Sequence, residues 1–408
     1  MIVRWPGYAA MQQFFLASCL ALLPALLRAE PWQRHTIDRS SRGADGVRLT
    51  DANGDGRLDI ATGWEEGGVI RVYLNPGPAR VHSSWPGVTV GRVKSPEDAV
   101  LVDLDGDRRM DVVSCCEGSL RTVFIHWAPA LESDYLEADA WKTTALPVTA
   151  GRQMWMYALP AQVDGRHGVD LLVGSKGDGA TVGWLQAPAD ARNLTGWKFH
   201  SLSRAGWIMS LVSRDLDTDG DPDVIVSDRR GPSRGLFWLE HPGRKKVSEE
   251  WATHRIGADG LEVMFLDVGY LDGDRHEDIL LSTRNSRMLA YYRIPGKGVR
   301  WRSEQIPNPH GTPYGKAVAI ADLDGDGHAD IVHDTNTGGN RTHPGVTWLK
   351  RGTSATDPWT VMDISDSEGV KFDLLATIDL DADGDLDVVG CEERDNLGVF
   401  WYENPLGR

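Results

Sequence analysis

The chain has 408 residues, of which 41% are hydrophobic and 16 are tryptophan, so it is long enough to bury a large core. Its formal net charge of −16 argues against a nucleic acid or an anionic membrane as the partner, since either would require a basic face. The acidic residues are grouped in spaced clusters of aspartate, a pattern that favours bound cations.

The N-terminal segment 1–29 has the features of a secretion signal. Arg4 precedes an apolar run over residues 14–27, and Ala29 is a suitable small residue before a cleavage site. The run is too short for a transmembrane span, so we expect a mature protein that begins near Glu30 and works in the periplasm or outside the cell. A lipoprotein box ending at Cys19 is the less favoured alternative, and no later segment is apolar enough to cross a membrane.

Aspartate-rich nonapeptides recur along the rest of the chain, and internal repeats of this length indicate a repeat fold. They begin at residues 51, 103, 162, 215, 270, 322 and 379, so that successive starts lie 52 to 59 residues apart. We call these nonapeptides the Asp loops. The third copy (QVDGRHGVD) is degraded, whereas copies such as DLDGDGHAD carry a full set of acids.

Aromatic residues repeat with the same period. One tryptophan opens a short extended segment in each repeat: Trp32, Trp85, Trp141, Trp197, Trp251, Trp301 and Trp359. A second mark is an aromatic segment that ends in a turn, as in VYLNPG and FWYENPLG. We interpret these aromatic side chains as packing residues between neighbouring repeats.

Each repeat is predicted to contain four short strands, because short apolar runs alternate with turn signals. Four strands in each of seven repeats predict an all-β fold, a seven-bladed β-propeller over residues 30–408 with four antiparallel strands per blade. The chain begins with an outer strand at 32–37 and ends after an aromatic strand at 400–403. We expect these two strands to pair and close the last blade, and we expect the protein to be a monomer.

The Asp loops follow the pattern D-x-D-x-D-G-x-x-D, which places carboxylates at positions 1, 3, 5 and 9. Several hard oxygen ligands in a tight turn suit Ca²⁺, and glycine at position 6 permits the turn. An EF-hand is excluded, because it needs flanking helices and a glutamate at position 12, whereas strand-like sequences such as DIATG and DVIVS follow these loops.

In these features the chain resembles the FG-GAP/VCBS repeat proteins, a group that includes integrin α-type propellers and many exported bacterial proteins. The resemblance covers residues 32–408 and implies that each Asp loop joins the two inner strands of a blade and binds calcium. It implies five or six structural ions held by Asp51, Asn53, Asp55 and Asp59; Asp103, Asp105, Asp107 and Asp111; Asp215, Asp217, Asp219 and Asp223; Asp272, Asp274 and Asp278; Asp322, Asp324, Asp326 and Asp330; and Asp379, Asp381, Asp383 and Asp387. The third loop, with Gln162 and Arg166, is expected to be empty, and the occupancy of the fifth, with Tyr270 at position 1, stays open.

The face opposite the Asp loops is the expected place for a ligand, because loops around the axis of a propeller carry function more often than strands do. Its loops mix acids, bases and aromatic rings in a pattern that favours a sugar or another polar ligand. The predicted ligand-binding residues are Glu65, Glu97, Asp98, Trp155, Lys176, Trp207, Arg229, Glu262, Arg284, Lys371 and Glu392. A solvated rim without a ligand is the alternative.

The sixth repeat concentrates side chains that can transfer protons. The candidate catalytic residues, expected on or near the same face, are His310, Tyr314, Lys316, His333 and His343. Histidine and tyrosine can act as general acid and base, and histidines with a carboxylate can hold an additional divalent metal.

Two functions remain open on these residues. The favoured hypothesis is a calcium-loaded module that recognises a carbohydrate or a protein. The alternative is a carbohydrate lyase or dehydratase with its site on the face opposite the Asp loops, and adhesion to a cell surface is a weaker third. The sequence contains no nucleophile elbow, P-loop, HExxH zinc motif or dinucleotide fingerprint, which favours binding over catalysis.

Overall fold

The computed structural model describes residues 30–285, 287–312, 314–336, 342–353 and 357–407. The predicted signal segment and Cys19 lie outside these residues, so export and lipid anchoring stay predictions. Residues Pro31–Arg408 form one compact unit. In the part of the chain that is described, no helix is both long and apolar enough to cross a membrane.

The described residues form 28 β-strands joined by turns and short loops. In chain order they are β1 Gln33–Asp38, β2 Ala44–Thr50, β3 Asp59–Trp64, β4 Val69–Tyr73, β5 Gly87–Arg92, β6 Pro96–Val102, β7 Asp111–Cys116, β8 Thr122–Trp127, β9 Lys142–Ala145, β10 Met154–Ala161, β11 Asp170–Lys176, β12 Thr181–Gln186, β13 Lys198–Arg204, β14 Ile208–Arg214, β15 Asp223–Asp228, β16 Gly235–Glu240, β17 Ala252–Gly257, β18 Val263–Gly269, β19 Asp278–Thr283, β20 Arg287–Arg293, β21 Trp301–Pro307, β22 Gly315–Ala321, β23 Asp330–Thr335, β24 Val346–Lys350, β25 Thr360–Asp363, β26 Ala376–Ile378, β27 Asp387–Glu392 and β28 Gly398–Glu403. Short 3₁₀ helices lie at Pro78–Arg80, Glu132–Asp134, Ala138–Ala140, Pro147–Thr149, Leu194–Gly196 and Pro309–Gly311.

The strands form seven antiparallel sheets of four, which confirms the predicted seven-bladed β-propeller. Six blades are made of consecutive strands, from β2–β5 in blade 1 to β22–β25 in blade 6. Blade 7 has the order β1-β28-β27-β26, with Gln33 opposite Glu403 and Thr36 opposite Phe400. The predicted pairing of the first and last strands therefore closes the ring, because β1 supplies the outer strand of the last blade and covers the edge of β28.

The residues of the second strand of a blade are more buried than those of its outer strand. All six residues of β3 and of β7 are buried, because neighbouring blades cover both faces of these strands. The outer strand β21 is mostly exposed. Between blades, aromatic side chains form the core, as where Trp184 of blade 3 packs with Trp251 of blade 4. The periodic aromatic residues thus serve as the predicted packing residues.

The aspartate at position 9 of each Asp loop is buried and acts as a clamp. Asp59, for example, accepts hydrogen bonds from the backbone N–H of Ala52 in its own loop at 2.8 Å and of Asn75 beyond the third strand at 2.7 Å. The same pair of contacts is made in the other blades by Asp111, Asp170, Asp223, Asp278, Asp330 and Asp387. This carboxylate therefore joins two connections at one end of every blade, including the blade with the degraded loop.

Candidate functional site

The acidic Asp loops fold around their first carboxylate. In loop 1, Asp51 accepts hydrogen bonds from the backbone N–H of Gly54 at 2.8 Å and of Gly56 at 2.9 Å, and Gly56 has a φ of 84° that favours glycine. Ligand atoms of Asp103, Asp105 and Asp111 in loop 2 lie within 4.8 Å of one another, and those of Asp215, Asp217 and Asp223 in loop 4 do the same. Such oxygen clusters in a tight turn fit Ca²⁺.

Loop 3 is organised differently. The Gln162 side chain donates from Nε2 to the carbonyl of Arg166 at 3.2 Å and to that of Gly168 at 2.7 Å, while its Oε1 accepts from the N–H of Gly165 at 2.9 Å. Gly168 is at position 7, where a backbone carbonyl is expected to bind the ion. An amide thus occupies the centre of this loop, and the residues present do not fit a metal site.

Loop 5 keeps fewer acids. Tyr270, at position 1, is 56% exposed, and Asp272 has Arg302 at 3.9 Å as a cationic neighbour. In loop 6, Lys350 contacts Asp324, so that a side-chain ammonium reaches one of the predicted calcium ligands. An ion in loop 6 would therefore have to displace Lys350.

A cavity of about 300 Å³ lies on the propeller axis and is lined by residues of all seven blades. We call it the axial cavity. An inner ring of the lining comes from one position in each repeat, six residues before the start of the Asp loop. This position lies near the start of the first strand of a blade, and the Asp loop follows the other end of that strand. The residues at this position are Asp45, Glu97, Met156, Met209, Met264, Lys316 and Asp373. Blades 6, 7, 1 and 2 thus contribute charged residues to the lining and blades 3 and 4 contribute methionine, whereas in blade 5 Phe265, the residue after Met264, lines the cavity.

A second ring of lining residues is formed at the position six residues after the end of each Asp loop. It adds Glu65, Glu117, Lys176, Arg229 and Glu393 to the lining, with Lys371 and Trp207 near the mouth. Acidic residues dominate the lining: Asp45, Glu65, Glu97, Asp98, Glu117, Asp373 and Glu393, against Lys176, Arg229, Lys316 and Lys371.

Two lysines neutralise one side of the cavity. Lys316 Nζ lies 2.7 Å from Asp373 Oδ1, and these side chains are 9% and 1% exposed. Lys371 Nζ lies 3.8 Å from Asp373 Oδ2 and also contacts Glu393. Burial alone would lower the pKa of Lys316, but the charges of Asp373 and Asp45 outweigh burial and raise it, so the ammonium stays charged.

On the other side, Lys176 pairs with Glu117 and lies 3.4 Å from Glu97 Oε1. Its ammonium is 4.5 Å from the ring centre of Trp207, and the Arg229 guanidinium is 4.3 Å from the same ring. Both cations are therefore held against an aromatic face, which stabilises them at a partly dehydrated site.

Asp45 and Glu65 differ from the other acids of the axial cavity. Among the described residues, neither carboxylate makes a hydrogen bond or an ion pair, although Asp45 is only 9% exposed. Burial and the neighbouring charges of Asp373 and Glu97 raise the pKa of Asp45 well above its usual range, and burial raises that of Glu65. Burial also raises the pKa of Glu97 to about 8, against the opposing charge of Lys176.

The acids also form two groups with the spacing of metal ligands. Asp45, Glu65 and Glu393 make one triad, and Glu65, Glu97 and Glu117 make the other, with ligand atoms within 4.8 Å in each. The cavity therefore provides a negatively charged pocket that suits a cationic group, whether an ammonium or a metal ion.

Most of the predicted ligand-binding residues lie in or beside the axial cavity. Its lining includes Glu65, Glu97, Asp98, Lys176, Trp207, Arg229 and Lys371. Glu262 and Arg284 lie next to it, since Glu262 Oε2 is 3.4 Å from Arg229 Nε and 3.6 Å from Arg284 NH1. Asp98 is held by Arg48 at 3.0 Å and by the N–H of Ala158 at 2.9 Å, so its carboxylate positions strands and is not available to a ligand.

Trp155 and Glu392 have structural positions outside the axial cavity. Trp155 is fully buried, packs edge-on against Phe199 at 5.6 Å, and donates from Nε1 to the carbonyl of Arg121 at 3.2 Å. Glu392 is also fully buried and accepts hydrogen bonds from the backbone N–H groups of Val370, Lys371, Arg394, Asp395 and Leu397. It organises two loops near the axis.

The five candidate catalytic residues do not meet in one pocket. Lys316 alone among them lines the axial cavity. His333 is fully buried, neither ring nitrogen has a hydrogen-bond partner among the described residues, and burial lowers its pKa to about 3. His310 Nε2 lies 2.7 Å from Asp363 Oδ1, and its ring stacks on His343 with 5.6 Å between ring centres. Tyr314 is 37% exposed beneath the guanidinium of Arg284, 4.7 Å away.

Other residues of the site were not among the predicted ones. Asp45, Asp373, Glu117 and Glu393 line the axial cavity, together with apolar residues such as Met156. The sequence identifies them only by their position in the repeat, because each lies six residues before or after an Asp loop. Charge alone does not distinguish them from other loop residues.

Comparison with known proteins agrees with the repeat. A family model described as an FG-GAP-like repeat matches residues 51–114 and 270–333, each from the start of one Asp loop to the second strand of the next blade. A solved structure of an Agrocybe aegerita lectin, described as recognising non-reducing terminal N-acetylglucosamine, matches with 15% identity over 80% of this chain and 81% of that chain, with a TM-score of 0.47. No curated protein matches this chain. The chain is therefore a seven-bladed β-propeller that carries FG-GAP-like repeats.

Proposed function

We propose that this protein is a recognition module that binds a small polar ligand in the axial cavity. The observation that carries the proposal is the pair Asp45 and Glu65, two carboxylates that line the cavity and that, among the described residues, form neither a salt bridge nor a hydrogen bond. Carboxyl groups in such a place are costly unless a ligand supplies the missing partner. A volume of about 300 Å³ suits a small molecule better than a protein surface.

The charge of the lining indicates which ligand would bind. Seven carboxyl groups face four cations, so acidic groups outnumber basic ones in the lining, and a bound ammonium would favour the ionised forms of Asp45 and Glu65. A ligand with one ammonium group and several hydroxyls would give Asp45 and Glu65 a partner and use the remaining ionic groups as hydrogen-bonding sites. We therefore infer a carbohydrate of the amino-sugar class as the ligand.

Isothermal titration calorimetry with glucosamine, glucose and glucuronic acid, in excess calcium, tests this proposal. We expect saturable binding of the amine, weaker binding of glucose and none of the uronic acid. Asp45→Asn should weaken binding of the amine about 10- to 100-fold, since a hydrogen bond to a charged group contributes about 1.5–3 kcal/mol.

Glu66→Gln provides the matched control, because Glu66 adjoins Glu65 but its side chain is 47% exposed and lies near Arg42. This variant should bind like the wild type. Equal affinity for the three sugars, or an unchanged affinity in Asp45→Asn, would contradict the proposal and leave a metal ion as the candidate occupant of the cavity.

Calcium in the Asp loops is the second part of the proposal. The loops at 51, 103, 215, 322 and 379 have an oxygen-bearing Asp or Asn side chain at positions 1, 3, 5 and 9, the donors that Ca²⁺ requires, and among the described residues Asp379 Oδ1 is buried without a hydrogen-bond partner. Ions there would neutralise the carboxylates on the face remote from the axial cavity. Their role is therefore structural, and removal of calcium should act on stability.

Export is the third part of the proposal. It rests on the sequence of residues 1–29 and on the calcium requirement, which is met more readily outside the cytoplasm. N-terminal sequencing of protein expressed in a bacterium should give a mature chain that begins at Glu30. Recovery of the intact N-terminus from the cytoplasm would contradict export.

A lyase or dehydratase is the second candidate function, and Glu97 is the observation that favours it. With its pKa raised to about 8 and its side chain in the axial cavity, Glu97 can both accept and donate a proton near neutral pH. Mass spectrometry of an incubated sugar panel would detect loss of water or chain cleavage. Turnover that disappears in Glu97→Gln would replace the binding-only function with catalysis.

A further inference from the structure

Two histidines and a glutamate meet at the seam where the ring closes. His35 lies on β1, Glu403 ends β28, and His82 belongs to the connection between β4 and β5 of blade 1. Glu403 Oε2 lies 2.6 Å from His35 Nε2 and 3.2 Å from His82 Nε2. All three ligand atoms lie within 4.8 Å of one another. We call this group the seam cluster.

The indole ring of Trp401 packs against both histidines of the seam cluster. The His35 ring stacks on the indole with 4.5 Å between centres, and the His82 ring lies 5.3 Å from the same indole and 4.6 Å from His35. The His35 side chain is 12% exposed, whereas His82 is 47% exposed. The ring nitrogens are thus held in place on one side and accessible to solvent on the other.

Two other seams provide an internal comparison. His254 of blade 4 stacks on Trp238 at 4.4 Å and lies 2.6 Å from Glu240, and His200 of blade 3 stacks on Trp184 at 4.6 Å. A histidine beside a polar residue on a tryptophan is therefore a repeated structural element of the blade.

Among the described residues of these three seams, only the closing seam has two histidine rings in contact with each other. His82 stands three residues before Trp85, and the residues three before the corresponding tryptophans are Ser248 at the seam of blades 3 and 4 and Gly298 at the seam of blades 4 and 5. Packing of the blades does not require a histidine at this position, so His82 calls for a different explanation.

We propose that the seam cluster binds a transition-metal ion of the zinc class, with His35, His82 and Glu403 as ligands and solvent in the fourth position. Two imidazole nitrogens and one carboxylate oxygen are a ligand set that suits Zn²⁺ and disfavours Ca²⁺ and Mg²⁺, which prefer oxygen alone. The ion would take the place of the protons through which both rings now hydrogen-bond the same carboxylate oxygen. It would join the first strand, the last strand and blade 1.

Zinc binding measured by calorimetry in excess calcium tests this site, because calcium keeps the Asp loops filled. The wild type should bind one equivalent of Zn²⁺ here, and Co²⁺ as a probe should give the visible absorption of a nitrogen-containing site. His82→Ser, which introduces the residue found at the seam of blades 3 and 4, should weaken zinc binding by more than about tenfold and remove the cobalt signal. Its melting temperature without zinc should equal that of the wild type.

Two variants serve as controls. His254→Ser removes the histidine of the blade 4 seam and should leave zinc binding unchanged. His343→Ser breaks the stacked pair of blade 6, which is the other histidine pair that could take the metal. Absence of zinc binding in the wild type, full binding in His82→Ser, or loss of the cobalt signal in His343→Ser instead would each overturn the proposal.

Discussion

Gln162 donates a hydrogen bond of 2.7 Å to the carbonyl of Gly168, the backbone oxygen at position 7 of the third Asp loop. In a calcium loop that oxygen faces the ion. The amide of Gln162 thus makes an internal contact at the position where loops 1, 2, 4, 6 and 7 have an aspartate.

Restoring the acids should restore the site. Replacement of Gln162 and Arg166 by aspartate in one variant recreates carboxylates at positions 1, 3, 5 and 9, together with Asp164 and Asp170. We expect this variant to bind one more equivalent of calcium than the wild type, as measured by metal analysis after equilibrium dialysis. An unchanged stoichiometry would show that the loop backbone, and not the missing acids, prevents binding.

Removal of calcium should lower the melting temperature substantially. Without ions, the aspartates of each acidic loop repel one another, and each ion bound at a hundredfold excess over its Kd stabilises the fold by about 2.7 kcal/mol. Differential scanning calorimetry with excess EDTA, and again after calcium is restored, measures the change. Magnesium should restore less stability than calcium, and an unchanged melting curve in EDTA would rule out structural calcium.

The clamp aspartate should matter even where no ion is expected. Asp170→Ala leaves the backbone N–H groups of Val163 and Ala187 without their acceptor, which should cost about 2–6 kcal/mol of unfolding free energy. Urea unfolding at saturating calcium measures the loss, with the exposed Asp178→Ala as control. A change of less than about 0.5 kcal/mol in Asp170→Ala would show that the clamp contributes little.

The buried pair of Lys316 and Asp373 should be needed as a pair. Lys316→Met removes the closest cation of Asp373 in the axial cavity and should lower the unfolding free energy by up to about 3–5 kcal/mol, because the buried carboxylate then keeps only the more distant Lys371, at 3.8 Å. The double variant with Asp373→Asn should recover most of this loss. Urea unfolding of both, with the exposed Lys94→Met as control, decides the point, and two additive losses would contradict the coupling.

Stability should fall as pH rises because of Glu97. Burial, opposed by Lys176 and reinforced by Glu117 and Glu65, raises the pKa of this carboxyl from 4.5 to about 8 in the folded protein. Between these two pH values the folded state binds a proton that the unfolded state has lost, so the contribution is full below about pH 4.5 and is gone above about pH 8. Glu97→Gln should flatten this slope in urea unfolding across the window, and an identical slope in both proteins would refute the assignment.

The sequence by itself determined the propeller and its loops. Seven Asp loops and seven leading tryptophans with one period predict seven blades, because each blade must present the same strands to its neighbours to bury a continuous core. The phase of the repeat also predicted that the strand at 32–37 would pair with the strand at 400–403, and β1 and β28 do pair. The replacement of acids by Gln162 and Arg166 was enough to separate the third loop from the others.

The tertiary structure alone decided which side chains meet. Asp45 and Glu65 belong to neighbouring strands of blade 1, and Glu393, near the other end of the chain, joins them because ring closure places blades 7 and 1 side by side around the axis. The same closure brings His82 to His35 and Glu403. His333 does not meet the other candidate histidines, because its side chain points into the core between the blades. The phase of the repeat gives the position of a residue along its strand. Packing between blades decides how buried the residue is and which way its side chain points. These two properties distinguish Lys316, which lines the cavity, from His333, which lies in the core.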